Sequence, residues 1–152
     1  MKKRILSLLT ACLLVVCLLP VQALAAEREE TVTYYADGSY TVTTVEKHLT
    51  ARASRTTSGT KVKNYYSSSN ELQWKAVLDA TFTYTGSSAT CTKVNSLNVT
   101  IYNSAWSVGS KSTSKSGGTA YGYLTMNYAI IGGTQGVPVT LTLSCDKNGN
   151  LS

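Results

Sequence analysis

From Leu72 to Thr85 the chain alternates without a break. Leu72, Trp74, Ala76, Leu78, Ala80, Phe82 and Tyr84 fall on one face, and Gln73, Lys75, Val77, Asp79, Thr81, Thr83 and Thr85 on the other. A period of two with one apolar face is that of a half-buried strand. Fourteen residues is long for one strand, so a bulge or bend is expected within it. The same alternation recurs more briefly downstream. Leu97, Val99 and Ile101 share a face, then Leu124, Met126 and Tyr128, then Val137, Val139, Leu141, Leu143 and Cys145. Upstream, Thr31–Tyr35 and Ser39–Val45 flank Asp37-Gly38, a hairpin signal that calls for positive φ at both turn residues.

Glycine, asparagine and serine separate the remaining segments. Residues 46–59 read as a charged loop, Thr60–Ser67 as a strand, and Ser68–Asn70 as a turn. Gly86-Ser-Ser88 leads into Ala89–Lys93, and Trp106 opens a strand that runs to about Lys115. Gly117-Gly118 turns into Ala120–Ile130. Gly132-Gly133 and Gly136 make a loose connection, and Pro138 begins the last strand. Eight or nine short antiparallel strands result, with turns spaced as in a sandwich or barrel. The expected fold is all-β, a single antiparallel β-sandwich or partly open barrel over residues 26–152. A helical signal peptide, residues 1–25, precedes it.

That signal is legible in its three parts. Lys2, Lys3 and Arg4 precede the apolar run Ile5–Leu19, and Ala23-Leu24-Ala25 offers a cleavage site. The run is short of the ~18 residues of a membrane-spanning helix. Cleavage after Ala23 or Ala26 is an alternative. Leu9-Thr10-Ala11-Cys12 also has the form of a lipobox, but the apolar run continues past Cys12. The protein is therefore expected to be secreted, extracellular or associated with the cell wall. Removing three of the 14 basic residues leaves 11 against 8 acidic ones, a mild net charge of +3. Cys91 and Cys145 remain, and an oxidising compartment favours a disulfide between them. Closing that 54-residue loop would stabilise the fold by roughly 4 kcal/mol.

Catalytic chemistry finds little support. His48 is the one histidine, and serines are too abundant for a Ser/His/Asp triple to be specific. Metal-ligand spacings are absent, so no metal and no cofactor is expected. Asp146-Lys-Asn148-Gly-Asn150 faintly resembles a calcium loop but lacks its sixth-position glycine and closing glutamate, and reads as a turn. Lys47, Arg52, Arg55, Lys61 and Lys63 cluster beside Tyr65 and Tyr66. Such a cluster suits anionic polymers, or a solvated loop and an edge strand whose lysines oppose aggregation. The latter is favoured, and nucleic acid is not expected.

Tyrosine is the informative residue: ten are present against one phenylalanine. Tyr34 and Tyr35 are adjacent, as are Tyr65 and Tyr66, so one of each pair faces outward. Tyr121 and Tyr123 lie opposite the apolar face of their strand. Outward tyrosines give rigid amphipathic contact area. These six are the candidate binding residues of a non-catalytic interaction module, with a cell-wall glycan or another surface protein as candidate partner. Alternatives are a membrane-active toxin or bacteriocin-like protein, from the alternating Ala105–Lys115, and a small hydrolase using His48.

The order Cys91, Trp106, Cys145 is similar to that of immunoglobulin domains, but Leu143 stands where their tyrosine corner would be. The segments YADGSYTVTT, ATFTYTGSSATCT, VTIYNSAWSV and LTLSCDKNGNLS resemble those of small exported all-β proteins of Gram-positive anaerobic bacteria. The resemblance implies secretion and a shared β fold. It carries no activity and no site residues.

Overall fold

A computed structural model describes residues 28–48 and 55–152. The expected signal peptide and its cleavage site, and residues 49–54 of the expected loop with Arg52 among them, lie outside these residues. The described chain is all-β, with eight strands in sequence order: β1 (Arg28–Tyr34), β2 (Tyr40–His48), β3 (Thr56–Tyr66), β4 (Leu72–Tyr84), β5 (Ala89–Ile101), β6 (Trp106–Ser116), β7 (Thr119–Ile130) and β8 (Gly133–Ser144). All pairings are antiparallel. β1 to β5 form one sheet in that order, and β6-β7-β8 form a second. β6 and β7 pack on β5, and β8 packs on β3 and β4. The edge strand β1 is exposed along its whole length.

The core is what the alternation demanded. Trp74, Ala76, Leu78, Ala80 and Phe82 of β4 pack against Leu124 and Met126 of β7 and Leu141 and Leu143 of β8. Each of the large buried side chains contributes about 1.5–3 kcal/mol by leaving water. Close approach of the sheets is set partly by Gly122, where an added Cβ would lie 2.9 Å from Leu97 Cδ1.

Several local expectations are corrected. Both described ends of the stretch 46–59 are strand: Glu46, Lys47 and His48 of β2 pair with Thr60, Gly59 and Ser58 of β3. Ala89–Ile101 is one strand, not two, because Thr92 and Asn95 are bulged out of register with β4. The bulge of β4 itself falls at Gln73, since Tyr65 pairs with Trp74 and Tyr66 with Leu72. Gln73, assigned to the polar face, is therefore 6% exposed, while Leu72 pairs across from outward Tyr66. The first hairpin closes with three residues: Tyr35 donates to Ser39 O (2.8 Å), and only Gly38 has positive φ (80°). This is a turn that ends on a left-handed glycine.

Gly133 and Gly136 belong to β8, and Pro138 sits in its middle. Strand geometry shows why that is tolerated. Ser144 N–H and C=O both bond to Ser152, on the side away from β7. The period of two puts Thr142, Thr140 and Pro138 on that same free edge, where proline's missing donor costs nothing.

Candidate functional site

The site is built by one irregularity. With its backbone bulged inward, Gln73 accepts from Asn103 Nδ2 through Oε1 (2.8 Å) and donates through Nε2 to Glu71 O (2.9 Å). Its carbonyl accepts from Tyr102 N–H (2.9 Å) and Asn103 N–H (3.2 Å). Asn103 in turn accepts from Ala105 N–H through Oδ1 (2.9 Å) and from Trp106 N–H through its carbonyl (3.0 Å). This corner carries the chain from β5 to β6 and seats Trp106 against Tyr65 and Trp74.

Five rings then touch in series. Tyr35 lies 6.3 Å from Tyr65, and Tyr65 is stacked on Trp74 at 5.3 Å. Trp106 meets Tyr65 edge-on at 5.3 Å and Tyr128 at 4.8 Å. Tyr35, Tyr65, Trp74 and Trp106 line a cleft of about 470 Å³ between β2–β3 and β8, walled by Val137, Pro138 and Val139. An adjoining hollow of about 360 Å³ shares Tyr65, Trp106 and Asp37 and adds Gln73, Tyr128 and Gln135. The Trp74 indole N–H is buried with no acceptor.

Two charged groups stand at the cleft. Asp37 Oδ1 accepts from Ser39 Oγ (2.6 Å) and Ser39 N–H (3.0 Å), and these bonds hold its carboxyl below the usual range. Lys63 Nζ reaches across to Thr140 O at 3.4 Å. Burial pushes the Lys63 ammonium pKa down, and neighbouring Lys61 pushes it further the same way. Burial also lowers Lys61, against an opposing pull from Glu29.

The chain matches no family model, and no curated protein or solved structure is significantly similar to it. The chemistry of the site must be read from its residues alone.

The six candidate tyrosines do not form one surface. Tyr35 and Tyr65 enter the cleft. Tyr34 and Tyr66 lie on the outer face of the large sheet, joined through Tyr40 in a ladder of cross-strand rings at 5.4 and 4.9 Å. Tyr121 and Tyr123 lie on the outer face of the small sheet, their rings parallel at 6.1 Å. Sequence reasoning missed Gln73 and the pairing of both tryptophans with Tyr65. The alternation around Trp74 was visible and a bulge in that strand was expected, but its place at Gln73 was not legible.

The basic cluster is also divided. Lys61 and Lys63 sit opposite Val45 and Thr43 on the inner face of β3, which is an interior strand and not an edge. Arg55 points elsewhere, toward Thr85 O at 3.4 Å. His48 is exposed, with Nδ1 3.4 Å from Ser58 Oγ. From Trp106 on, the alternating stretch Ala105–Lys115 belongs to β6, which is paired with β7. Asp146 closes the expected turn by accepting from Asn148 N–H and Asn150 N–H, each at 2.8 Å. Cys91 and Cys145, expected to be bridged, are buried free thiols in this structure. Their amides donate to the consecutive carbonyls of Gly117 (2.7 Å) and Gly118 (2.8 Å), so they flank one turn. Among the described residues there is no cluster of three metal-ligating side chains, and no helix long and apolar enough to cross a membrane.

Proposed function

We propose that this chain is a secreted, non-catalytic binding module of the cell surface or extracellular space, and that it takes its ligand in the aromatic cleft. The observation that carries the reading is the run of four rings, Tyr35, Tyr65, Trp74 and Trp106, opening onto a concave space between the sheets. Concave, largely apolar sites with a few polar groups are where small ligands are held. Tyr35, Tyr65 and Trp106 offer flat faces, and Asp37 and Lys63 offer an acceptor and a donor at the rim. A saccharide ring of a wall glycan fits that combination, with an apolar face and hydroxyls on its edge. The leader-like residues 1–25 support export, and the placement of Cys91 and Cys145 beside one turn supports a bridge after export.

Both tryptophans of the chain line this cleft, so intrinsic fluorescence reports on it directly. Titration with chito-oligosaccharides and with muropeptides is expected to shift and saturate the emission, and Tyr65→Ala to abolish the response. An emission spectrum unmoved by every such fragment, together with no retention on purified walls, sinks the reading.

A further inference from the structure

A second surface is independent of the cleft. On the outer face of the small sheet, the register sets residues in cross-strand rows. Ser112, Tyr123 and Thr140 form one row, and Ser114, Tyr121 and Thr142 the next. The rows on either side are Ser110–Thr125–Pro138 and Ser116–Thr119–Ser144. Of these twelve positions none is charged, and all but Pro138 carry a hydroxyl. Neighbouring strands put the hydroxyls ~4.8 Å apart in one direction, and alternate residues put them ~6.8 Å apart in the other.

That composition is peculiar to this face. The outer face of the large sheet carries Arg28, Glu30 and Glu46, with ion pairs at 3.5 and 3.8 Å. Lys111 and Lys115 lie on β6 itself, but opposite inward-facing Leu124 and Ala120, so they leave the outer face clear. Exposed protein surface is ordinarily about a quarter to a third charged. A neutral face argues against anionic polymers, whose recognition rests on lysine and arginine. It argues equally against a lipid surface, since two tyrosine rings and one proline are its only large apolar groups.

We propose that this face binds an uncharged, β-linked polysaccharide laid across Tyr121 and Tyr123. The C–H faces of the sugar rings pack on the two parallel tyrosines, of which Tyr123 is 43% exposed. The serine and threonine rows on either side exchange hydrogen bonds with the sugar hydroxyls. An extended β-linked chain lies along a three-stranded face, whereas a helical α-linked one touches it only at intervals.

Affinity electrophoresis of the full chain tests this, with glucomannan or hydroxyethylcellulose in the gel, and dextran and polygalacturonate in parallel gels. The expected result is retardation by the neutral β-linked polymers alone, unchanged by added salt, because no charge is involved. Tyr121→Ala with Tyr123→Ala is expected to weaken it by roughly tenfold or more. Thr140→Asp is expected to weaken it without removing a ring, and Tyr35→Ala to leave it intact. Unretarded wild-type protein in every neutral gel overturns the proposal. So does undiminished retardation of a tyrosine double variant whose circular dichroism is native, or retardation confined to polygalacturonate. Because Tyr35→Ala acts only on the cleft, failure of one surface is distinguishable from failure of the other.

Discussion

The two sides of the sandwich are closed by different means. On the β5–β6 side the chain itself crosses between sheets. Backbone bonds through Gln73, Asn103 and Trp106 fix that corner, and Cys91 and Cys145 flank the Gly117-Gly118 turn at the other end. On the β3–β8 side no strand pairing joins the sheets. Closure there rests on Lys63 reaching Thr140 O and on the tail, where Leu151 packs against the core and Ser152 pairs with Ser144. Backbone closure is rigid, and side-chain closure leaves a cleft. The aromatic cleft lies on the side that the backbone leaves open.

The largest effect should come from the closed side. If export oxidises Cys91 and Cys145, replacing both by alanine removes a covalent tie between β5 and the end of β8, at a cost of about 2–5 kcal/mol. Chemical unfolding of the protein, purified under oxidising conditions, with and without reductant measures this. Free thiols titrated in the denatured, unreduced protein would remove the bridge from the account.

Gln73→Ala comes next. The Asn103 side-chain amide loses its acceptor, and the corner that seats Trp106 loosens. A cost of about 1–3 kcal/mol is expected, as for a buried hydrogen-bond partner left unsatisfied. Tryptophan emission should move to the red as Trp106 gains water. A stable variant with unchanged emission would show that the corner holds without this side chain.

Legibility followed the physics of each element. β4 could be read because an interior strand under a covering sheet needs an unbroken apolar face, and Trp74 to Phe82 supply one. Nothing in that alternation marks Gln73 as the bulged residue, because its burial depends on Tyr65 and Tyr66 across the ladder and on Asn103 thirty residues away. The ends of the loop expected at 46–59 proved to be strand for a related reason. Lys47 and Lys61 look like loop or edge residues, yet they lie on strands whose inner face β8 covers only in part. Pro138 reads as a strand start unless one knows that β8 is an edge. Adjacent tyrosines were bound to split between faces, but which of them met a tryptophan was a tertiary fact.

On the open side, Lys63→Met should change stability little and association more. The substitution removes a half-buried ammonium and its weak bond, so an effect within about 1 kcal/mol of zero is expected. The lysine's folded pKa lies below its unfolded value near 10.5, so the unfolded chain binds the proton more readily. Stability of the wild type should therefore rise as pH climbs toward that value, and the variant should show less of this slope. The ammonium also covers a carbonyl on the free edge of β8. Without it, Thr140 and Thr142 present an open ladder, and sedimentation velocity should detect self-association.

The smallest effect is confined to the tail. Asp146 is fully exposed, and bonds from Asn150 N–H and Nδ2 and from Asn148 N–H hold its pKa below 3.8. A carboxylate whose folded pKa is depressed adds stability above its unfolded pKa and loses it as pH falls through the folded value. Tail closure should therefore persist at pH 5 and fail below about pH 3.8, ahead of global unfolding. Loss of hydrogen-exchange protection at Ser144 and Ser152, with the β4 amides still protected, is the expected signature. Asp146→Asn should bring the same local opening to neutral pH. The β5–β6 corner contains no carboxylate among its bonds, so its amides should ignore that titration. If both sides opened together, side-chain and backbone closure would not be separable, and the cleft would have no independent freedom to admit a ligand.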